Sequence, residues 1–344
     1  MSGRVLVTGG AGFIGSHLVD QLVAGKRAVT VLDDFSSGKY EHLSQAASLG
    51  NVRVIKGDVT DREVVAEAMA DCDLVFHLAV QCVRRSLGKP LENHTVNATG
   101  TLTVLEEARR RQVLRFVYCS SSEVYGNRVG DNRDDERLGE QSLPAPVTVY
   151  GASKLAGEHY TRAYWQTYQL PTIVVRPFNA YGPREHDRGD LAEVIPRFVI
   201  RVLNGLPPVI FGNGEAARDF TYVTETASGL ARAAECDRLI GGVVNIAYGR
   251  MISIRAVATA VARLCGRSDL VPVHIEPRPG DVYALGADIT LARTLLGFKA
   301  SIAFEDGLAR YIDWFLHQYP DPAALLEADL RNWRLPSSSR PRRP

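Results

Sequence analysis

An α/β fold, with a doubly wound parallel sheet and a smaller, interleaved C-terminal lobe, follows from three observations. Short β-branched runs alternate with longer stretches of helical spacing through the first half of the chain. A glycine-rich turn joins the first such run to the first helical stretch. After about Arg176 the alternation gives way to punctuation by Pro177, Gly182, Pro183, Gly189, Pro196, Gly205, Pro207 and Pro208.

The strand runs are Arg4–Thr8, Ala28–Leu32, Val52–Lys56, Leu74–Leu78, Arg115–Ser120 and Thr172–Arg176. Ile14, Leu18 and Leu22 share one helical face, and Val96 through Leu105 repeat that spacing. Strand–helix alternation calls for a parallel sheet covered on both faces. A helix-like Val223–Ala234 and a strand-like Val243–Ile246 return to this unit. The expected division is therefore 1–176 with return segments near 223–248 as the dinucleotide-binding domain, and 177–222 with 249–330 as the second lobe. Residues 337–344 contain only Ser, Arg and Pro and read as a disordered basic tail.

Composition narrows the function. The chain has 344 residues, 45% hydrophobic and 23% charged, with Lys+Arg 40 against Asp+Glu 39 and a net charge of +1. Such a balance gives no electrostatic footprint for nucleic acid. No apolar run is long enough to span a membrane, and the N-terminus enters a strand at once, so a cytoplasmic protein is expected. Cys72, Cys82, Cys119, Cys236 and Cys265 are scattered and read as reduced thiols, and the histidines show no metal-ligand spacing.

Gly9, Gly12 and Gly15 form G-x-x-G-x-x-G between the first strand and the helix opened by Phe13 and Ile14. Missing side chains let the backbone turn tightly and approach a pyrophosphate on the helix N-terminal amides. Asp33, with Asp34 beside it, follows the second strand where a carboxylate accepts both ribose hydroxyls and repels a 2′-phosphate, which favours NAD over NADP. Asp58 and Val59, after the third strand, are placed at the adenine; Asp58 reads equally well as a helix cap. Tyr150 and Lys154 lie one helical turn apart and share a face, so the ammonium, with the positive nicotinamide, would lower the phenol into a working range. Ser120, Ser121 and Ser122 start at the carboxyl end of the fifth strand, where a hydroxyl can share a substrate proton with Tyr150; the bland alternative is backbone capping.

These motifs, in this order, resemble the extended short-chain dehydrogenase/reductase family with its Rossmann-type fold, and more closely its nucleotide-sugar epimerases, dehydratases and decarboxylases. Further matches are His77-Leu78-Ala79, Asn97, the segment Arg176 to Arg184, Phe211 to Gly214, Arg218-Asp219-Phe220 and Arg278 to Asp281. The resemblance implies that Leu78, Ala79 and Asn97 join the NAD contacts. Asn179, Arg218 and Arg278 would hold a nucleotide diphosphate, and Val194 and Phe211 would bracket the base, usually uracil. It places Arg85 and Ser122 at the sugar and Leu285 at the pocket wall. It also implies a homodimer through helices around 93–110 and 150–168.

Two departures stand out. Val83-Arg84-Arg85-Ser86 replaces the Val-Pro-Arg-Ser common in relatives, and Glu123 stands where plain 4-epimerases usually carry a small or neutral residue. Relatives share oxidation of the sugar at C4 with Tyr150 as base. The 4-keto sugar is then epimerised, dehydrated or decarboxylated. Ser122 in place of the acid of dTDP-glucose dehydratases, with the Ser121/Tyr150/Lys154 set, points to a UDP-sugar 4-epimerase. A UDP-glucuronate decarboxylase or a 4,6- or 5,6-dehydratase is the alternative, with Glu123 as its extra catalytic group, and an NAD-sensing regulator is the non-enzyme alternative.

Overall fold

The computed structural model describes residues 3–127 and 137–335; the basic tail 337–344 lies outside the described residues. Six strands, β1 Arg4–Thr8, β2 Val29–Asp33, β3 Val52–Lys56, β4 Cys72–His77, β5 Arg115–Cys119 and β6 Thr172–Pro177, carry the first half. With Val243–Ile246 they form a seven-stranded sheet in the order Val243–Ile246, β6, β5, β4, β1, β2, β3. All its pairings are parallel. The chain runs outward from β1 to β3, then returns past β1 to place β4 on its other side. The crossovers on either side of that point diverge and open a crevice at the carboxyl ends of β1 and β4.

Strand limits differ from the sequence reading by one or two residues. β2 runs one residue later, so that Asp33 is its last residue, and β4 starts at Cys72 because its polar opening pair still joins the ladder to Arg4.

The sheet is apolar on both faces, as a covered parallel sheet must be. On one face the helix Phe13–Ala24 packs against Val223–Ala234, with Leu18, Val19, Ala227 and Leu230 buried against Val5, Val7 and Val175. On the other, Val65, Val104, Leu105 and Tyr164 from three helices cover Leu6, Val75, Phe116 and Val174. A separate core of Phe198, Val199, Val257, Val261, Tyr311 and Phe315 joins the helices Val194–Leu203, Ile254–Leu264 and Phe304–Gln318 above the carboxyl edge.

A buried ion pair fastens the helix Val149–Tyr168 to that edge. Arg176 at the end of β6 donates Nε to Glu158 Oε1 at 2.8 Å and Nη2 to Oε2 at 2.6 Å. Ser120 Oγ donates to the same carboxylate at 2.5 Å. The remaining Arg176 nitrogen reaches Tyr125 Oη at 2.9 Å, and Tyr125 in turn donates to Asn245 Oδ1 at 2.8 Å. Both charged side chains are under 5% exposed, at 4% and 3%.

Removing one partner of such a pair strands the other charge out of water. Glu158→Ala is therefore expected to lower stability by about 3–5 kcal/mol, read from the denaturant midpoint. A loss under about 1 kcal/mol would mean that the pair does not hold the helix.

Candidate active site

The crevice is a cavity of about 370 Å³ running from the glycine turn to the second lobe. At the β1 end Gly9 adopts a φ of 68°, and a Cβ on Gly15 would lie 2.1 Å from the Gly9 carbonyl. Only glycine permits this turn, and it leaves the backbone open to a phosphate over the helix start. Gly9, Gly12, Phe13, Ile14 and Gly15 all line the cavity.

The carboxyl ends of β1 and β4 are tied together by a directed chain of hydrogen bonds. The amides of Leu78 and Ala79 both donate to Thr8 Oγ1 at 3.2 Å, which leaves the Thr8 proton for His77 Nδ1 at 2.7 Å. His77 Nε2 then donates to Thr101 Oγ1 at 2.9 Å, and Thr101 donates to the Asn97 carbonyl at 2.6 Å. Burial pushes the His77 imidazole down to about 3, so the ring is neutral and this tautomer is held. Leu78 and Ala79 are thereby fixed as cavity walls.

Asp33 lines the cavity with its carboxylate anchored by the amides of Ala11 and Phe35, each at 2.9 Å. Burial raises its carboxyl above the usual range. Asp34 and Asp58 border the same end, accepting from Ser36 and Thr60 respectively. The helix cap is Asp61 rather than Asp58, since its side chain accepts from the amides of Glu63 and Val64. Val59 lies beside Asp58 on the cavity wall.

The structure corrects the expectation for Asn97. It does not border the cavity. Its Oδ1 accepts from Gln81 N at 2.8 Å and its Nδ2 donates to Gln81 O at 3.0 Å and Ser153 Oγ at 3.1 Å. Asn97 positions the wall segment carrying Gln81.

Tyr150 and Lys154 both reach the cavity, with Ser120, Ser121, Ser122 and Glu123 opposite. The Ser121 side chain stands close to the Tyr150 phenol and favours its ionised form. Ser121 also accepts from the amide of Glu123 at 3.2 Å, capping the short turn Ser122–Val124. Lys154 Nζ donates to Cys119 O at 2.6 Å and lies 4.4 Å from the Tyr118 ring centroid. Burial lowers its ammonium to about 8. The phenol differs from expectation: burial raises Tyr150 above its ordinary value, and Ser121, not Lys154, is the main group pulling it down. The fold alone desolvates the phenol more than its neighbours stabilise the phenolate.

Glu123 is likewise raised by desolvation, opposed first by the charges of Arg218 and Arg278. These guanidiniums share one carboxylate oxygen, each donating to Asp281 Oδ1 at 2.8 Å. Two cations against one anion leave a positive surface with spare donors, beside an Asn179 Oδ1 that is buried without a partner. Val194 and Phe211 line the far end.

Two further expectations are corrected. Leu285 is fully buried in a cluster with Leu138, Val282 and Ala287 and does not border the cavity, its side chain being taken up by that apolar cluster. Arg85 also stays off the cavity, facing Asp190 at 3.4 Å. Its neighbour Arg84 enters instead: it is 6% exposed, paired to Glu193 at 2.7 Å and donating to the carbonyls of Asp190 and Leu191. Sequence reasoning flagged Arg84 as a departure without giving it a role. It passed over His186, Glu193, Arg197 and Asn332, which also line the cavity; nothing in their spacing marks them.

Fold and site together define a dinucleotide-binding protein with a phenol, an ammonium and a serine at one end of its cleft and an arginine cradle at the other. The family model described as "NAD dependent epimerase/dehydratase family" matches residues 5–247. The UDP-glucose 4-epimerase of Mycolicibacterium smegmatis is 36% identical over 322 residues, covering 91% of this chain and 98% of that protein. The dTDP-glucose 4,6-dehydratase of Streptomyces niveus is 33% identical over 324 residues, covering 91% and 92%. The Thermus thermophilus UDP-glucose 4-epimerase, solved with NAD, superposes with a TM-score of 0.82 at 34% identity, covering 91% of this chain and 98% of that one. This chain belongs to the NAD-dependent epimerase/dehydratase family, and NAD is its cofactor. Among the described residues no helix is long and apolar enough to cross a membrane, and no cluster of side chains could hold a metal ion.

Asp33→Ala removes the carboxylate at the β2 end and should weaken NAD by about 1.5–3 kcal/mol, measured by titration calorimetry. Stronger binding of NADP than of NAD by the unaltered protein would contradict the assignment of Asp33 to the ribose.

Proposed function

We propose that this chain is a UDP-sugar 4-epimerase acting by transient oxidation at C4. One observation carries the choice among family reactions. Near Tyr150 the cavity offers one carboxyl without a hydrogen-bonded cation, Glu123, and a hydroxyl, Ser122, beside it. Elimination of water needs a base at C5 and an acid at C6 in addition to the couple at C4. Epimerisation needs only the couple at C4, and Ser121 with Tyr150 supplies it.

Arg218, Arg278 and Asn179 bind the pyrophosphate, setting the sugar beneath Tyr150. Tyr150 accepts the proton of the C4 hydroxyl with Ser121 bridging, and Lys154 holds positive charge below the phenol. Bound NAD supplies the two-electron acceptor that returns those electrons to C4, and a positive charge beside Tyr150. Turning of the keto sugar about its pyrophosphate bonds presents the opposite face, and the same tyrosine gives the proton back. Arg84, latched to Glu193, closes one wall of the space in which that turn occurs. In the proposed homodimer the helices Gly100–Arg110 and Val149–Tyr168 form the interface, where Leu102 and Tyr168 are now exposed.

A dehydratase is the second reading, favoured by the desolvated Glu123 on the cavity wall. The tests separate these. Tyr150→Phe should bind NAD normally and turn over UDP-sugars at least ~10²-fold more slowly; unimpaired turnover would contradict the mechanism, and no turnover by the unaltered protein on any nucleotide sugar would favour a regulator.

Glu123→Gln keeps shape and removes the basic carboxylate. An epimerase should lose less than about tenfold, or ~1.4 kcal/mol, with no deuterium entering C5 from heavy water. A loss of ~10²–10⁴-fold together with abolished C5 exchange would establish the dehydratase instead.

A further inference from the structure

The chain beyond the last long helix is strapped across the mouth of the second lobe. Asn204 Nδ2 donates to Pro322 O at 3.0 Å, Gly189 N to Glu327 Oε1 at 2.6 Å and Arg197 Nη2 to Leu330 O at 2.5 Å. Trp333, 8% exposed, sets its ring edge-on to Phe211 with centroids 4.6 Å apart. The strap therefore ends against the residue that backs the base end of the cavity.

Asn332 lies between those anchors. It is 7% exposed and borders the cavity. Its Nδ2 donates to Ala192 O at 2.7 Å, two residues before Val194. A carbonyl can only accept, so this bond sets which way the amide faces. Oδ1 is then the outward atom, and it is buried with no partner. An unpaired buried acceptor is unfavourable, and a ligand N–H would satisfy it.

We infer that Asn332 is a specificity residue that reads the nucleotide base, its Oδ1 accepting the ring imide N–H of a pyrimidine-2,4-dione. The inference rests on the nucleotide-sugar reading above. Cytosine places an acceptor at that ring position, so two lone pairs would meet in a buried space. Uracil pairs with Oδ1 while stacking between Val194 and Phe211, and the Ala192 bond holds the amide ready.

The test is calorimetry on the NAD-loaded protein with UDP, CDP and UDP methylated at N3. UDP should bind at least about tenfold more tightly than either analogue. Asn332→Leu, similar in size but without the acceptor, should bring UDP and CDP within about threefold, mainly by weakening UDP. Should that variant fail to fold, the two analogues on the unaltered protein decide alone. UDP binding with no preference over CDP, or a preference unchanged in Asn332→Leu, overturns the inference and leaves the nucleotide-sugar reading standing. Failure of all three nucleotides to bind overturns both.

Discussion

The active-site geometry hangs on one buried carboxylate. Glu158 gathers Arg176 from β6 and Ser120 from the end of β5, on the same helical face that carries Tyr150 and Lys154. Positions 150, 154 and 158 are successive turns of one stripe, so fixing the third fixes the height of the first two above the sheet edge. Lys154 adds its own bond to Cys119 O. A helix held at two points on adjacent strands cannot slide, and a proton-transferring phenol misplaced by an ångström loses much of its effect. The pair is costly to desolvate, which argues that its value lies in position rather than in net stability.

Around that fixed stripe the two halves of the cleft divide the chemistry. The sheet edge supplies the glycine turn, Asp33, a neutral His77, Ser121 with Tyr150, and the single ammonium of Lys154. The second lobe supplies a pair of guanidiniums. Arg218 and Arg278 share Asp281 and so arrive oriented yet only half neutralised. In the proposed reading an anionic diphosphate bridges the halves, with the sugar left at the junction where the phenol sits. Burial raises both Tyr150 and Glu123, and a bound positive charge would oppose that rise at either group.

The sheet, its glycine turn and the stripe of Tyr150 and Lys154 were legible because each is a local pattern with a physical period. β1, β3 and Val243–Ile246 fall where the apolar runs place them. What escaped was decided by tertiary direction. Asn97 and Leu285 sit near the cavity in the chain, but the first spends its amide on Gln81 and the second points into a core. Arg84 and Arg85 are adjacent on a short helix and both reach Asp190, but only Arg84 pairs with Glu193 and borders the cavity. Asn332 belongs to a strap whose course is set by contacts with Arg197 and Phe211, long-range partners that leave no periodic trace.

The most direct test of the account follows the hydrogen at C4. UDP-glucose carrying deuterium at C4 is incubated with the protein and NAD, and the product is examined by proton and deuterium NMR with mass spectrometry. The account predicts the 4-epimer at unchanged mass with the deuterium still on C4, because the chain supplies one proton couple and the sugar merely turns above it. A product lighter by one water, with the deuterium moved to C6, would contradict it.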